Sequence, residues 1–167
     1  VDVNALLRDV VKTLRSRLDD AGIESQLNLD IGRPAIVSDA NQLEQVFMAL
    51  VTNAVEATPP GGRVAITTKT CDVNGGPKQV LVAIEDSGEG IPPQTRTRVF
   101  EPFFTTKQHG TGLGLPLAKK FVERNQGRMS ISEASLGGAR IEVTFPCAET
   151  AEGDRKRGDK AASSKES

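Results

Sequence analysis

The sequence has few of the features that define several protein classes. Its 167 residues include only two cysteines, Cys71 and Cys147, and one histidine, with 21 Lys+Arg against 22 Asp+Glu. Two cysteines so far apart exclude a disulfide scaffold and a paired-cysteine metal motif, and they favour a reducing cytoplasm. The balanced charge excludes bulk attraction to nucleic acid or to an anionic membrane, so neither is expected as a partner.

Long apolar runs are also missing. The longest, residues 46–51, is far shorter than the roughly 20 residues that cross a bilayer, and no basic segment followed by an apolar one opens the chain. We therefore expect no membrane segment and no signal peptide in this chain, although a longer parent protein could be membrane-anchored. The start at Val1 rather than Met indicates a piece of a longer protein.

The chain has a length typical of one domain. Its apolar residues recur at the spacing of a helix in some segments and at the spacing of a strand in others. Helical spacing predicts three helices, over residues 4–18, 40–57 and 115–125. Alternation of apolar and polar residues predicts strands over residues 23–29 and 64–68, and a continuous apolar run predicts one over residues 80–84. Two further strands are expected over residues 128–134 and 139–145, which meet at Gly137-Gly138. Because most of these strands form hairpins with helices between them, we expect an α+β fold: a two-layer α/β sandwich with a mixed, mostly antiparallel sheet and its helices on one face.

The end of the chain differs in composition from the rest. Residues 148–167 contain no Leu, Ile, Val or aromatic side chain. Burial there cannot offset the entropy of ordering the chain. We therefore assign residues 1–147 to one folded domain and 148–167 to a charged, disordered tail.

Within the domain, a Gly- and Pro-rich tract at residues 86–114 is longer than most loops without a function. It begins with Asp86-Ser87-Gly88-Glu89-Gly90-Ile91, directly after a predicted strand. A carboxylate at a strand end can accept a hydrogen bond from an exocyclic amine such as that of adenine, and it would oppose the carbonyl of guanine. An ordinary Asp-Ser-Gly turn is the alternative interpretation.

The same tract ends with Gly110-Thr111-Gly112-Leu113-Gly114-Leu115, which leads into a predicted helix. Glycines let backbone N–H groups approach phosphate oxygens, and a helix N-terminus adds partial positive charge. The spacing matches neither the dinucleotide fingerprint nor a Walker A loop. The pattern therefore favours phosphate binding, with a flexible surface loop as the alternative.

Between these motifs lies Phe100-Glu101-Pro102-Phe103-Phe104, followed by Thr105-Thr106-Lys107-Gln108-His109. An aromatic anchor before a polar, glycine-bounded stretch predicts a hinged lid, with Lys107 able to reach a terminal phosphate. A satellite hydrophobic cluster is the alternative. We interpret His109 as an exposed lid residue rather than a catalyst or metal ligand.

One polar residue interrupts the apolar face of the second predicted helix. Asn53 lies one turn after Ala49 on that face. An amide oxygen is a hard ligand suited to Mg²⁺, which often takes only one or two protein groups together with substrate phosphates. A buried asparagine satisfied by backbone groups is the alternative interpretation.

Taken in order, these motifs resemble the N, G1, F and G2 boxes of sensor histidine kinases, over about residues 1–147. The N box corresponds to Leu43-Glu44-Gln45-Val46 through Asn53-Ala54-Val55-Glu56-Ala57. The resemblance implies the catalytic and ATP-binding domain of a two-component kinase, with the Bergerat-type fold of the gyrase, heat-shock chaperone and mismatch-repair ATPases. ATP and Mg²⁺ are the implied cofactors.

The resemblance also implies roles for individual residues. Asn53 would bind Mg²⁺, Asp86 would accept the adenine amine, and Lys107 would act with Asn53 in catalysis. The implied nucleotide-binding residues are Asn53, Ala57, Asp86, Gly88, Gly90, Ile91, Thr105, Thr106, Lys107, Gly110, Thr111, Gly112, Leu113, Gly114 and Leu115. Two positions depart from the family pattern: Ala49 replaces a common second Asn, and Arg140 stands where many members carry a Thr that contacts adenine through water.

The implied reaction is transfer of the ATP γ-phosphoryl group to a histidine on a separate dimerisation and phosphoacceptor domain, which then serves a response regulator. His109 does not match the phosphoacceptor pattern, so we expect a catalytic fragment. One alternative is a hydrolytic ATPase of the same superfamily, although such enzymes carry a general-base Glu where this chain has Ala49. The other is a non-catalytic nucleotide-binding module.

Overall fold

The structure, a computed structural model, describes residues 1–72, 75–105 and 112–148. Of the predicted tail, residues 148–167, all but Ala148 lie outside the described residues. The helices are α1 (Val3–Thr13), α2 (Arg15–Ala21), α3 (Ala40–Ala57) and α4 (Gly114–Arg124). The strands are β1 (Glu24–Asn28), β2 (Arg63–Asp72), β3 (Lys78–Asp86), β4 (Arg128–Glu133) and β5 (Ala139–Pro146). Two short 3-10 turns, Pro93–Thr95 and Arg98–Phe100, lie between β3 and α4.

The five strands form one mixed sheet in the order β1-β2-β3-β5-β4. β1 runs parallel to β2, and every other pair is antiparallel. The core lies between this sheet and the helices, where Leu7, Phe47, Val122 and Phe145 are almost completely buried. This arrangement confirms the predicted α+β class with a mostly antiparallel sheet. None of the described helices is both long enough and apolar enough to cross a lipid bilayer.

Local capping explains the helix ends. Asp2 caps α1 by accepting the N–H of Ala5, whereas Asn4 is buried and donates to the carbonyl of Asp30. Asp39 caps α3 in the same way, by accepting the N–H of Asn41. Side-chain acceptors at the N-cap satisfy N–H groups that have no partner within the helix.

The first predicted helix is wrong in one respect, because residues 4–18 form two helices rather than one. The break falls at Leu14, with φ −87° and ψ 1°. Leu14 and Leu18 are nevertheless both buried, so the apolar stripe continues across the break. A one-residue irregularity that leaves the stripe intact is invisible to a periodicity argument.

Candidate functional site

An open cleft of about 1290 Å³ lies between α3, the segment after β3 and the start of α4. Most predicted site residues that the structure describes line it: Asn53, Ala57, Asp86, Gly88, Gly90, Ile91, Thr105, Gly112, Gly114 and Leu115. Leu113 is not among the lining residues, and 43% of its surface is exposed. The predicted residues Thr106, Lys107, Gly110 and Thr111, together with His109, lie outside the described residues.

Asp86 is the last residue of β3 and is only 3% exposed. Its Oδ1 accepts hydrogen bonds from the N–H groups of Gly88 at 2.9 Å and Ala139 at 3.2 Å. The bond to Gly88 is the ordinary Asx turn that the sequence left as an alternative. The turn and the site coincide here, because the turn holds a nearly buried carboxylate against the cleft.

The segment after Asp86 is fixed on two sides. The N–H of Ser87 donates to the carbonyl of Arg63 on β2 at 3.1 Å, and the N–H of Arg63 donates to the Ser87 hydroxyl oxygen at 2.9 Å. Gly88 lies so close to the end of α3 that an added Cβ would overlap the carbonyl oxygen of Ala57. Only glycine allows the backbone to approach the helix this closely. The strand end and the helix end therefore form one rigid wall of the cleft.

The polar side of α3 continues this lining along the cleft. Asn53 is half-buried and lies with Ala49, Thr52 and Glu56 along the cleft. Among the described residues, no cluster of three or more His, Cys, Asp or Glu side chains could hold a metal ion alone. An amide oxygen with a carboxylate one turn further along α3 fits Mg²⁺, which usually keeps few protein ligands and takes others from phosphates.

One backbone contact joins two residues that lie on either side of the predicted lid segment. The N–H of Phe103 donates to the carbonyl of Gly112 at 3.1 Å, and both residues have positive φ, 66° and 70°. A Cβ on Gly112 would lie 2.5 Å from the carbonyl carbon of Phe103. A positive φ is uncommon for an aromatic residue and indicates local strain at Phe103. Phe103 and Gly112, which precede and follow the predicted lid residues, are thus in contact beside the cleft.

The aromatic motif divides between the cleft and the surface. Phe104 lines the cleft and lies beneath the Arg98 guanidinium at 4.5 Å, and Phe100 lies beneath the Lys119 ammonium at 4.7 Å. Phe103, in contrast, is 76% exposed. Two of the three phenylalanines therefore anchor the segment, and the third faces solvent.

Several cleft residues were not predicted. Ala139 lines the cleft because β5 pairs with β3, and Arg140 points to the other face of the sheet, where it pairs with Glu85 and Glu142. The Arg140 side chain therefore does not line the cleft, in keeping with its departure from the Thr that many family members carry at this position. Glu56 could have been found from the sequence, because a residue three positions after Asn53 shares its helix face.

Known proteins match both the sequence and the fold. The family described as "Histidine kinase-, DNA gyrase B-, and HSP90-like ATPase" matches residues 38–149. Sporulation kinase E of Bacillus subtilis is 34% identical over 150 residues, which are 90% of this chain and 20% of that protein. This chain therefore spans about a fifth of the length of that relative.

Two solved structures give the same result. A mycobacterial sensor histidine kinase, MprB, superposes with a TM-score of 0.79 at 29% identity, covering 90% of this chain and 97% of that one. Full-length ShkA in complex with AMPPNP superposes with a TM-score of 0.74 at 30% identity, covering 90% of this chain and 31% of that one. The chain belongs to the family of histidine kinase-, DNA gyrase B- and HSP90-like ATPases, and it has the fold of a histidine kinase catalytic domain.

Proposed function

We propose that this chain binds Mg-ATP and transfers its γ-phosphoryl group to a histidine on a separate phosphoacceptor and dimerisation domain, in two-component signalling. The observation that carries the proposal is the buried Asp86 carboxylate, which lines the same cleft as Asn53 on α3. The ShkA neighbour was solved with AMPPNP, an ATP analogue, which supports a nucleotide in this cleft. The reaction would take place in the cytoplasm, and the phosphorylated histidine would serve a response regulator.

Each wall of the cleft has its own role in this proposal. Asp86 accepts the adenine amine, and Ala57, Gly88, Gly90, Ile91 and Leu115 enclose the base. Asn53 offers its amide oxygen to Mg²⁺, and bound Mg²⁺ would neutralise charge on the phosphates, which is the main requirement of phosphoryl transfer. Lys107 and the segment from Thr105 to Gly114 contact the phosphates.

Ala49 bears on the hydrolytic alternative. It lines the cleft one turn before Asn53, where hydrolytic members of the superfamily carry a glutamate. A methyl group cannot accept a proton from water, so transfer to a histidine is favoured over hydrolysis. Phosphate release by the isolated chain, at a rate comparable to transfer, would support the hydrolytic enzyme instead.

The direct test supplies the acceptor separately. The chain is incubated with γ-labelled Mg-ATP and a histidine kinase phosphoacceptor domain, and acid-labile label is measured on that domain. A phosphoacceptor variant with His→Gln at the reactive position is the control and should stay unlabelled. Absence of label on the unmodified acceptor, despite measurable ATP binding, would refute the kinase activity.

The third candidate, a non-catalytic module, is tested at the departure from the family pattern. Ala49→Asn restores the common second amide. If the chain is an active kinase, we expect the transfer rate to change by less than about tenfold, the effect of a single hydrogen bond. A large rise in transfer rate at unchanged ATP affinity would instead indicate that Ala49 impairs catalysis.

A further inference from the structure

Two adjacent carboxylates at the end of β3 hold the same turn from opposite faces of the sheet. The turn consists of residues 134–138 and joins β4 to β5. Asp86 bonds to its last part: its backbone carbonyl accepts the N–H of Gly138 at 3.1 Å, and its Oδ1 accepts that of Ala139. Glu85 bonds to its first part, because Oε1 accepts the N–H and hydroxyl of Ser135 at 2.8 and 3.0 Å.

The burial of Glu85 is not explained by nucleotide binding. Glu85 does not line the cleft, yet only 9% of it is exposed. Burying a carboxylate is costly unless it is paired and hydrogen-bonded. Its second oxygen lies 3.3 Å from Nη1 of Arg140, whose Nη2 is 2.8 Å from Glu142. Ser135 and Arg140, which the Glu85 carboxylate contacts, belong to the β4–β5 turn and to β5.

The turn is packed against Asp86 without spare room. A Cβ on Gly138 would overlap Oδ1 of Asp86 and would lie 2.6 Å from the N–H nitrogen of Gly88. The bond from Ala139 to Oδ1 is already 3.2 Å long, at the end of the usual range. A displacement of the turn by a few tenths of an ångström would therefore weaken this bond or rotate the carboxylate.

We propose that Glu85 is a positioning residue for base recognition: by holding Ser135 and Arg140, it keeps the turn against Asp86 and fixes the direction in which the carboxylate meets a purine amine. This inference rests on the proposed function. It extends that function to a carboxylate outside the cleft and concerns the discrimination between 6-amino and 6-oxo purine nucleotides.

The test compares Mg-ADP with Mg-IDP, which differ in the 6-amino and 6-oxo groups, by calorimetric titration. Glu85→Gln keeps the size of the side chain but removes its charge and places an amide beside Arg140. In this variant we expect the preference for ADP, given by the Kd for Mg-IDP divided by the Kd for Mg-ADP, to fall about five- to tenfold. The reason is that discrimination depends on one directed hydrogen bond. The matched control is Glu142→Gln, which removes the other carboxylate partner of Arg140 and should leave the ratio unchanged.

The ratio separates positioning from a general structural role. A structural role would lower the melting temperature and weaken both ligands by the same factor, and an unchanged ratio in Glu85→Gln would overturn the inference. If that variant does not fold, Ser135→Ala removes one hydroxyl contact only and should give a smaller fall, and an unchanged ratio there also overturns it. Failure of the proposed function would look different, because the unsubstituted chain would bind neither nucleotide or show no preference for ADP.

Discussion

The substitution Asp86→Asn tests nucleotide recognition most directly. Asn keeps the size of the side chain and an oxygen that can accept the N–H groups of Gly88 and Ala139, as Oδ1 of the carboxylate does. Its second atom becomes an NH₂ donor, which would face the donor amine of adenine. The fold should therefore persist while recognition of the base is lost.

The magnitude follows from the lost hydrogen bond. A hydrogen bond to a charged group contributes about 1.5–3 kcal/mol. Since about 1.4 kcal/mol corresponds to a tenfold change in affinity, the Kd for Mg-ADP should rise roughly 10- to 150-fold. The donor-against-donor contact places the result toward the upper end of this range.

The assay is calorimetric titration of Mg-ADP into the unsubstituted chain and the variant, with thermal unfolding followed by circular dichroism. The matched control is Glu89→Gln, which removes another acidic side chain that lines the cleft, outside the predicted base contact. Its affinity should stay within about twofold, as expected for a surface charge. An Asp86→Asn variant that folds normally and binds Mg-ADP as tightly as the unsubstituted chain would refute the assignment of Asp86.

Three further predictions concern the metal, the wall and acid stability. Asn53→Ala should weaken ADP binding in the presence of Mg²⁺ and leave Mg-free binding unchanged; equal loss in both titrations would contradict a metal role. Gly88→Ala should lower the free energy of unfolding, measured by urea titration, by about 1–3 kcal/mol, because its methyl group overlaps Ala57. Gly114→Ala is the control: its methyl group meets nothing within 4 Å and should not destabilise the chain. Hydrogen bonds from the N–H groups of Gly32 and then Thr70 hold the pKa of Asp30 below its ordinary value. Its stabilisation is therefore complete above the unfolded pKa of about 3.9 and is lost as the pH falls through the folded pKa. Asp30→Asn should accordingly lose less stability on acidification than the unsubstituted chain.

The parts of the fold that local chemistry decides could be predicted from the sequence. The bounds of α3 were predicted as residues 40–57, and the structure has Ala40–Ala57, because the Asp39 cap and the Pro59-Pro60 terminator act within a few residues. The place of Asp86 at the end of a buried strand was predicted for a similar reason. A buried strand that ends in an acid and two glycines is recognisable without knowing what the strand pairs with.

The parts that depend on strand order could not be predicted. Ala139 enters the cleft, and Arg140 leaves it, because β5 inserts between β3 and β4 with Arg140 opposite Glu85. A slip of one residue in that register would exchange the two faces. Nothing near residue 139 specifies this pairing, since Asp86 lies more than fifty positions earlier in the chain.

The charge of the cleft bears on the proposed role of Mg²⁺. Among the lining residues that the structure describes, Glu56, Asp86 and Glu89 are acidic and none is lysine or arginine. Arg17 pairs with Glu56 at 3.4 Å, but a nucleoside triphosphate would still meet negative charge from these walls, which the N-terminus of α4 and a metal ion could offset. Acidic side chains together with an amide on α3 suit a metal ion, whereas packing alone does not require them. Because of this charge, we expect the affinity for ATP to depend on Mg²⁺. A titration with Mg²⁺ removed by EDTA should give much weaker ATP binding than one at millimolar Mg²⁺. Equal affinities would contradict the proposal that the phosphates lie beside Asn53.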